Sequence, residues 1–232
     1  MKRKAVLSLV LVGALALLLA GQATRVIRPD LRANLTRIAP LKIESGAKWE
    51  WNGDFSIWVT LSRSGQPVSG ALVKIGTRPL PEMQPGYPGY YEDTWKMPVQ
   101  VGQSIVLTVT DSYGVTHTAT AKIHNTVRIT QPANGAIFDR AKVSSILVRW
   151  TFAAASVPVH LFVGGTDNSN HYNQNDVAGG QFNLPLASFP ASFSDLWIHV
   201  SLPAENFIFS GPVAAGSKGA VGMADHVRIT LK

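Results

Sequence analysis

A chain of 232 residues, 46% hydrophobic and only 15% charged, is too apolar for a disordered protein and long enough to bury one or two cores. The formal charge of +7 loses three when Lys2, Arg3 and Lys4 are set aside, leaving +4. Apart from Arg25, Arg28, Arg32 and Arg37 the remaining basic residues are scattered, which excludes the basic stripe of a nucleic-acid binder. Cysteine is absent, which excludes a disulfide framework, a thiolate metal site and a cysteine nucleophile.

The chain opens with Met1-Lys2-Arg3-Lys4, a basic segment, followed by an uncharged run from Ala5 to Ala20 and the small residues of Gly21-Gln22-Ala23. This three-part layout is that of a secretory signal peptide cleaved after Ala23. The rival reading is an uncleaved anchor, because no charge interrupts Ala5 to Thr24. Gln22 stands where a lipoprotein would need its cysteine. A leader without cysteines points to a bacterial exported protein, and Asn34-Leu35-Thr36 would be a glycosylation acceptor only in a eukaryotic host.

Beyond a linker at 24–39, whose segment from Pro29 to Arg37 is the best helical candidate, strand signals dominate. Phe55, Ile57, Val59 and Leu61 alternate with Ser56, Trp58 and Thr60. The same period of two returns at Ile105-Leu107-Val109, at Ile146-Val148-Trp150-Phe152 and at Leu196-Ile198-Val200-Leu202. Turn formers separate these runs, among them Ser64-Gly65-Gln66-Pro67, Gln84-Pro85-Gly86 and Pro132-Ala133-Asn134-Gly135. Many short strands with such punctuation predict an all-β chain of two sandwich domains, at 40–125 and 126–232, joined by a short linker near Asn125. Val127-Arg128-Ile129-Thr130 returns as Val227-Arg228-Ile229-Thr230, a weak echo of two units.

The stretch from Ile129 to Leu202 resembles the fibronectin type III or immunoglobulin-like domains of exported bacterial proteins. The resemblance lies in Ile129-Thr130-Gln131-Pro132-Ala133-Asn134-Gly135, in the strand carrying Trp150, and in Val159-His160-Leu161-Phe162-Val163-Gly164-Gly165. It implies that Trp150 fills the inter-sheet core. The first domain is similar to another bacterial immunoglobulin-like module through Gln66 to Val73, Gly89-Tyr90-Tyr91, Val101-Gly102-Gln103 and Gly114 to Ala121. Such modules act as spacers, adhesins or glycan-binding appendages, and the fold alone selects none of these. The long Gly/Ala-rich stretch from Gly211 to Ala224, ahead of the last strand, departs from the pattern.

The chemistry-bearing residues do not converge on a reaction. None of His117, His124, His160, His171, His199 and His226 lies in a His-Glu-x-x-His or His-x-His arrangement, and neither a Gly-x-Ser-x-Gly elbow nor a phosphate-cradling loop occurs. His160 and His199 could meet across paired strands, but zinc usually takes three or four protein ligands. Glu92 and Asp93 are adjacent, so on a strand they face opposite ways and cannot flank one glycosidic bond. The oxygen-rich segment 167–176 reads as an ordinary loop or as a weak calcium site. The expectation is therefore a non-enzymatic protein without a cofactor.

Two aromatic sets suggest binding instead. If Val159, Leu161, Leu196, Ile198 and Val200 enter the core, then His160, Phe162, Trp197 and His199 face outward together. The competing expectation is that Gly211–Ala224 or the first domain covers this face. Tyr90, Tyr91 and Trp95, beside Glu92 and Asp93, form a second candidate, a sugar-contacting loop. Trp49, Trp51 and Trp58 are expected in the core or at a domain contact. Two readings follow. One is an interaction or structural module with a protein partner in the periplasm, at the cell surface or outside the cell. The other is a lectin-like protein binding a cell-surface glycan through the aromatics of the second domain. Membrane contact is expected only through an uncleaved leader, and nucleic acid is not expected as a partner.

Overall fold

The period-two pattern becomes eighteen strands in the computed structural model, which describes residues 39–83, 85–165 and 170–232, with backbone alone at 170 and 171. The leader at 1–23, Asn34 and nearly all of the 24–39 linker lie outside the described residues. The first half of the chain supplies β1 (Lys42–Glu50), β2 (Asp54–Arg63), β3 (Gln66–Pro67), β4 (Leu72–Ile75), β5 (Arg78–Pro79), β6 (Tyr90–Lys96), β7 (Ser104–Thr110) and β8 (Thr116–Lys122). The second half supplies β9 (Val127–Gln131), β10 (Ala136–Phe138), β11 (Ser145–Phe152), β12 (Val159–Gly165), β13 (Asn170–Val177) and β14 (Gln181–Pro185). It continues through β15 (Asp195–Ser201), β16 (Glu205–Asn206), β17 (Ile208–Ser210) and β18 (Lys218–Leu231).

These strands sort into three sheets. A ten-stranded sheet runs β13-β12-β15-β18-β1-β2-β3, with β10 and β16 also on β18 and β6 on β2. A five-stranded sheet runs β17-β8-β7-β4-β5, and a three-stranded sheet runs β14-β11-β9. The large sheet buries one row of side chains along its length, including Ile43, Phe55, Ile57, Val59, Leu161, Ile198 and Ile229. These share one core with Val73, Leu107 and Val109 of the five-stranded sheet and with Ile146, Val148 and Trp150 of the three-stranded sheet. Each such residue, moved from water to the interior, contributes roughly 1.5–3 kcal/mol before chain entropy is counted. The chain is thus all-β, two sandwiches in tandem that use successive parts of one large sheet. Trp150 lies in the core as the resemblance implies.

The last strand joins the two. The first half of β18 runs parallel to β1, from Glu44 opposite Lys218 to Glu50 opposite Ala224. Its second half runs antiparallel to β15, from Ser201 opposite Ala224 to Asp195 opposite Thr230. Ala224 is the handover. Val221, Met223, Asp225, Val227, Ile229 and Leu231 are buried in sequence on one face, so both sandwiches lie on the same side of this strand.

Here the structure corrects an expectation. The Gly/Ala-rich stretch is not an insertion preceding the last strand, because from Lys218 onward it is that strand. Glycine and alanine are weak strand formers, but close packing dictates them at this position. A Cβ on Gly219 would lie 2.0 Å from Ser45 Oγ and 3.1 Å from the Phe207 ring. The chain just before it also serves the first sandwich: β17 pairs with β8, and the Ala214 N–H donates to the Leu41 carbonyl at 2.8 Å. The expected boundary at Asn125 falls between β8 and β9, where the Asn125 amide donates to the Ala155 carbonyl and accepts from the Ala154 N–H.

Gly219→Val should therefore overpack the β1–β18 seam and destabilise the protein by about 1–3 kcal/mol in denaturant unfolding. Gly222→Ala, whose Cβ meets nothing closer than 3.8 Å, should stay within about 0.5 kcal/mol of wild type.

Candidate interaction face

The large sheet has one side turned away from the core. Its side chains alternate with the buried row and range from half-buried to exposed. The outward set expected from sequence lies on it. Val159, Leu161, Leu196, Ile198 and Val200 are buried, and His160, Phe162, Trp197 and His199 point the other way. Strand pairing sets Phe162 opposite His199 and His160 opposite Ser201.

The rings meet edge to face. Phe162 and His199 centroids are 6.3 Å apart at 82°, and Trp197 and His199 are 6.1 Å apart at 61°. A residue outside the expected set joins them: His226 on β18, opposite His199, lies 5.3 Å from Trp197 at 77°. Residues 218–224 do not seal this face, since they lie within the sheet as part of β18, and Trp197 is 39% exposed.

An ion-pair network crosses the seam beside these rings. Glu50, the last residue of β1, approaches His226 Nδ1 at 3.1 Å and Lys48 Nζ at 2.7 Å. His226 and then Lys48 hold the Glu50 carboxyl down to about 2 against the opposing effect of burial. Glu50 in turn raises His226 above the usual imidazole value. His199, one strand away, is pushed to about 4 by burial, with Lys48 and His226 adding to the shift and Glu50 opposing it. Two adjacent histidines are thus shifted in opposite directions, His226 above and His199 below the usual imidazole value. The third, His160, hydrogen-bonds through Nε2 to Asn173 Oδ1. Among the described residues no three His, Asp or Glu side chains converge as metal ligands, and the pair His160 and His199 gains no third donor.

The second aromatic set does not form a surface. Tyr90, Tyr91 and Trp95 lie on β6, a regular strand paired with β2, and not on a loop. Strand alternation therefore separates them. Tyr91 is 1% exposed, its hydroxyl accepts the Ala71 N–H at 2.9 Å, and burial raises its pKa to about 12. Trp95 turns to the same side, with Phe55 at 5.0 Å and the Arg78 guanidinium at 4.7 Å. Only Tyr90 and Glu92 face outward. Asp93 turns inward to Arg78, at 2.7 Å. Of the tryptophans expected in the core or at a domain contact, Trp49 is buried and Trp51 packs under the Arg128 guanidinium of β9 at 5.0 Å, but Trp58 is 40% exposed on the outer face. Of the oxygen-rich segment, residues 170–176 belong to β13, while 167–169 lie outside the described residues.

Two shallow hollows meet at Lys48 on the outer face. One, of about 360 Å³, is floored by Ala220 and Gly222 and walled by His199 and Ser201. The other, of about 180 Å³, lies among Gly46, Ser56, Trp58 and Glu92. The small outward residues of β18 and β1 leave this relief between Trp58 and Trp197. Sequence reasoning missed it because the outer row of β18 here is only Ala220, Gly222 and Ala224 and the inner row is broken by Gly219.

No known protein family matches the sequence, and no curated protein is recognisably similar. Among solved structures, the fibronectin(III)-like modules of Clostridium thermocellum CbhA are similar at 16% identity, covering 83% of this chain and 94% of theirs, with a TM-score of 0.27. The IG1+IG2 pair of DIP-gamma is similar at 8% identity, covering 82% and 94%, with a TM-score of 0.24. Likenesses this distant say nothing of activity or ligand.

In an NMR titration His226 should titrate above the usual imidazole value and His199 near pH 4, and Glu50→Gln should lower the His226 value. The signs for stability are opposite. The stabilisation from His226 is complete below its unfolded value of about 6.5 and is lost as pH rises through its raised folded value. That from His199 is present above about 6.5 and is lost as pH falls toward 4.

Proposed function

We propose that this protein is a non-enzymatic, exported interaction module of the bacterial envelope or cell surface, and that a protein partner docks on the outer face around Trp197. The observation that carries this reading is the edge-to-face packing of Phe162, His199, Trp197 and His226 on an open sheet surface. Such rings give a knobbed surface with apolar relief and polar tips, the composition favoured at the centre of protein interfaces. A flat stacking platform for a sugar would need coplanar exposed rings, which these angles do not provide. The secretory layout of residues 1–23 supports export, and the absence of a nucleophile–base pair from the sequence motifs supports a binding role over catalysis.

A photo-crosslinking side chain placed at Trp197 should capture discrete protein adducts in the expressing cells, and one at Lys122, on the five-stranded sheet, should not. Equal capture from both positions, or none from Trp197, would overturn the assignment. Fractionation of the same cells should find the protein outside the cytoplasm.

A further inference from the structure

The outer face holds a second feature, on the first sandwich, that the aromatic–histidine cluster does not use. Trp58 stands in the middle of β2, opposite Gly46 of β1 and Glu92 of β6. Its indole lies across Gly46: a Cβ at that position would be 2.6 Å from Nε1 and 2.7 Å from Cε2. Glycine thus lets the ring settle on the sheet while 40% of the residue stays open to solvent.

A single exposed tryptophan is ordinary on a protein surface. What surrounds this one is a ring of polar groups in defined positions. The Tyr90 hydroxyl donates to Glu92 Oε2 at 3.1 Å and so orients the carboxylate beside the indole. On the same side, the Thr94 hydroxyl donates to Ser56 Oγ at 3.1 Å. Lys48 closes the hollow of about 180 Å³.

A pyranose ring offers the matching pattern, with C–H groups on its faces and hydroxyls that both donate and accept around its rim. An indole face takes the first, and carboxylate, hydroxyl and ammonium groups take the second. Charge narrows the class. Lys48 is engaged by Glu50 at 2.7 Å, and Lys42 and Lys218 by Glu44 at 3.3 and 3.6 Å. With Glu92 at the hollow itself, three carboxylates, Glu44, Glu50 and Glu92, balance the three lysines, so the hollow offers no excess positive charge for an acidic sugar or a phosphate. We infer that the Trp58 hollow is a subsite for one neutral hexopyranose unit of a glycan. The inference does not depend on the protein-partner reading, which concerns Trp197 and is tested by crosslinking.

The test is affinity electrophoresis of the full chain through gels containing a soluble β-glucan, a galactomannan or polygalacturonate, with wild type, Trp58→Ala, Trp58→Phe, Gly46→Ala and Trp197→Ala compared. Thermal unfolding of each variant controls for folding. At least one neutral polymer should retard the wild type, and polygalacturonate should not. Trp58→Ala should lose about tenfold or more in affinity. Gly46→Ala, whose methyl group displaces the indole without removing it, should also bind more weakly. Trp58→Phe should bind between wild type and Trp58→Ala, and Trp197→Ala should bind as wild type. Lack of retardation by either neutral polymer, stronger retardation by polygalacturonate, undiminished binding by a folded Trp58→Ala, or loss confined to Trp197→Ala would each overturn the inference. The last would return the glycan reading to the second sandwich.

Discussion

Everything on the outer face depends on β18 pairing with β1 along its first half and with β15 along its second. Seven residue pairs hold it parallel to β1, and seven hold it antiparallel to β15, with Ala224 common to both registers. A strand committed to one sandwich would leave β1 or β15 with an unpaired edge, exposing a row of N–H and C=O groups to water or to another chain. Sharing the strand satisfies both edges and merges two sheets into one. Residues Leu41–Lys232 accordingly form one compact unit. The small residues at 219, 220 and 222 belong to that arrangement: Gly219 because Ser45 and Phe207 fill its inner side, Ala220 and Gly222 as the floor of the outer hollow.

The same junction sets the electrostatics. Glu50 comes from the first sandwich and His226 from the shared strand, and they meet only because β1 ends where β18 changes partner. Burial, and then Lys48 and His226, hold His199, one strand further on, below the usual imidazole value, with Glu50 opposing. Opposite shifts on adjacent strands thus follow from register and burial. The face thus sets an imidazole shifted up beside one shifted down, within a rim of aromatic edges.

Much of this was readable in the residues, because a period of two assigns faces without knowledge of neighbours. Val159, Leu161, Ile198 and Val200 determine which way His160, Phe162, Trp197 and His199 must point, and the structure agrees. The echo of Val127 to Thr130 in Val227 to Thr230 has the same origin. Both segments bury valine and isoleucine and turn arginine outward, and the Ile129 N–H donates to Asp225 on the opposite strand at 2.7 Å. The echo marks two strands of one sandwich facing each other, where the sequence suggested a repeated unit. Three things were not readable. The strand character of 218–224 was hidden because neither of its faces shows a run of large residues. Tyr91 looked available because it follows Tyr90, but strand alternation sends it to the core beside Val59. Trp58 lies on the even row with Ser56 and Thr60; what the residues did not show is Gly46 across from it, which lets the indole settle on the outer face.

The shared strand makes the two sandwiches one cooperative body. Native-state hydrogen exchange measures it directly, by following amides of β7 and β8 in the first sandwich and of β11 in the second. Shared β18 pairing predicts that the slowest amides of all three strands exchange with one common opening free energy, and that Gly219→Val lowers it equally in each. Two distinct opening free energies, with Gly219→Val affecting only β7 and β8, would contradict it.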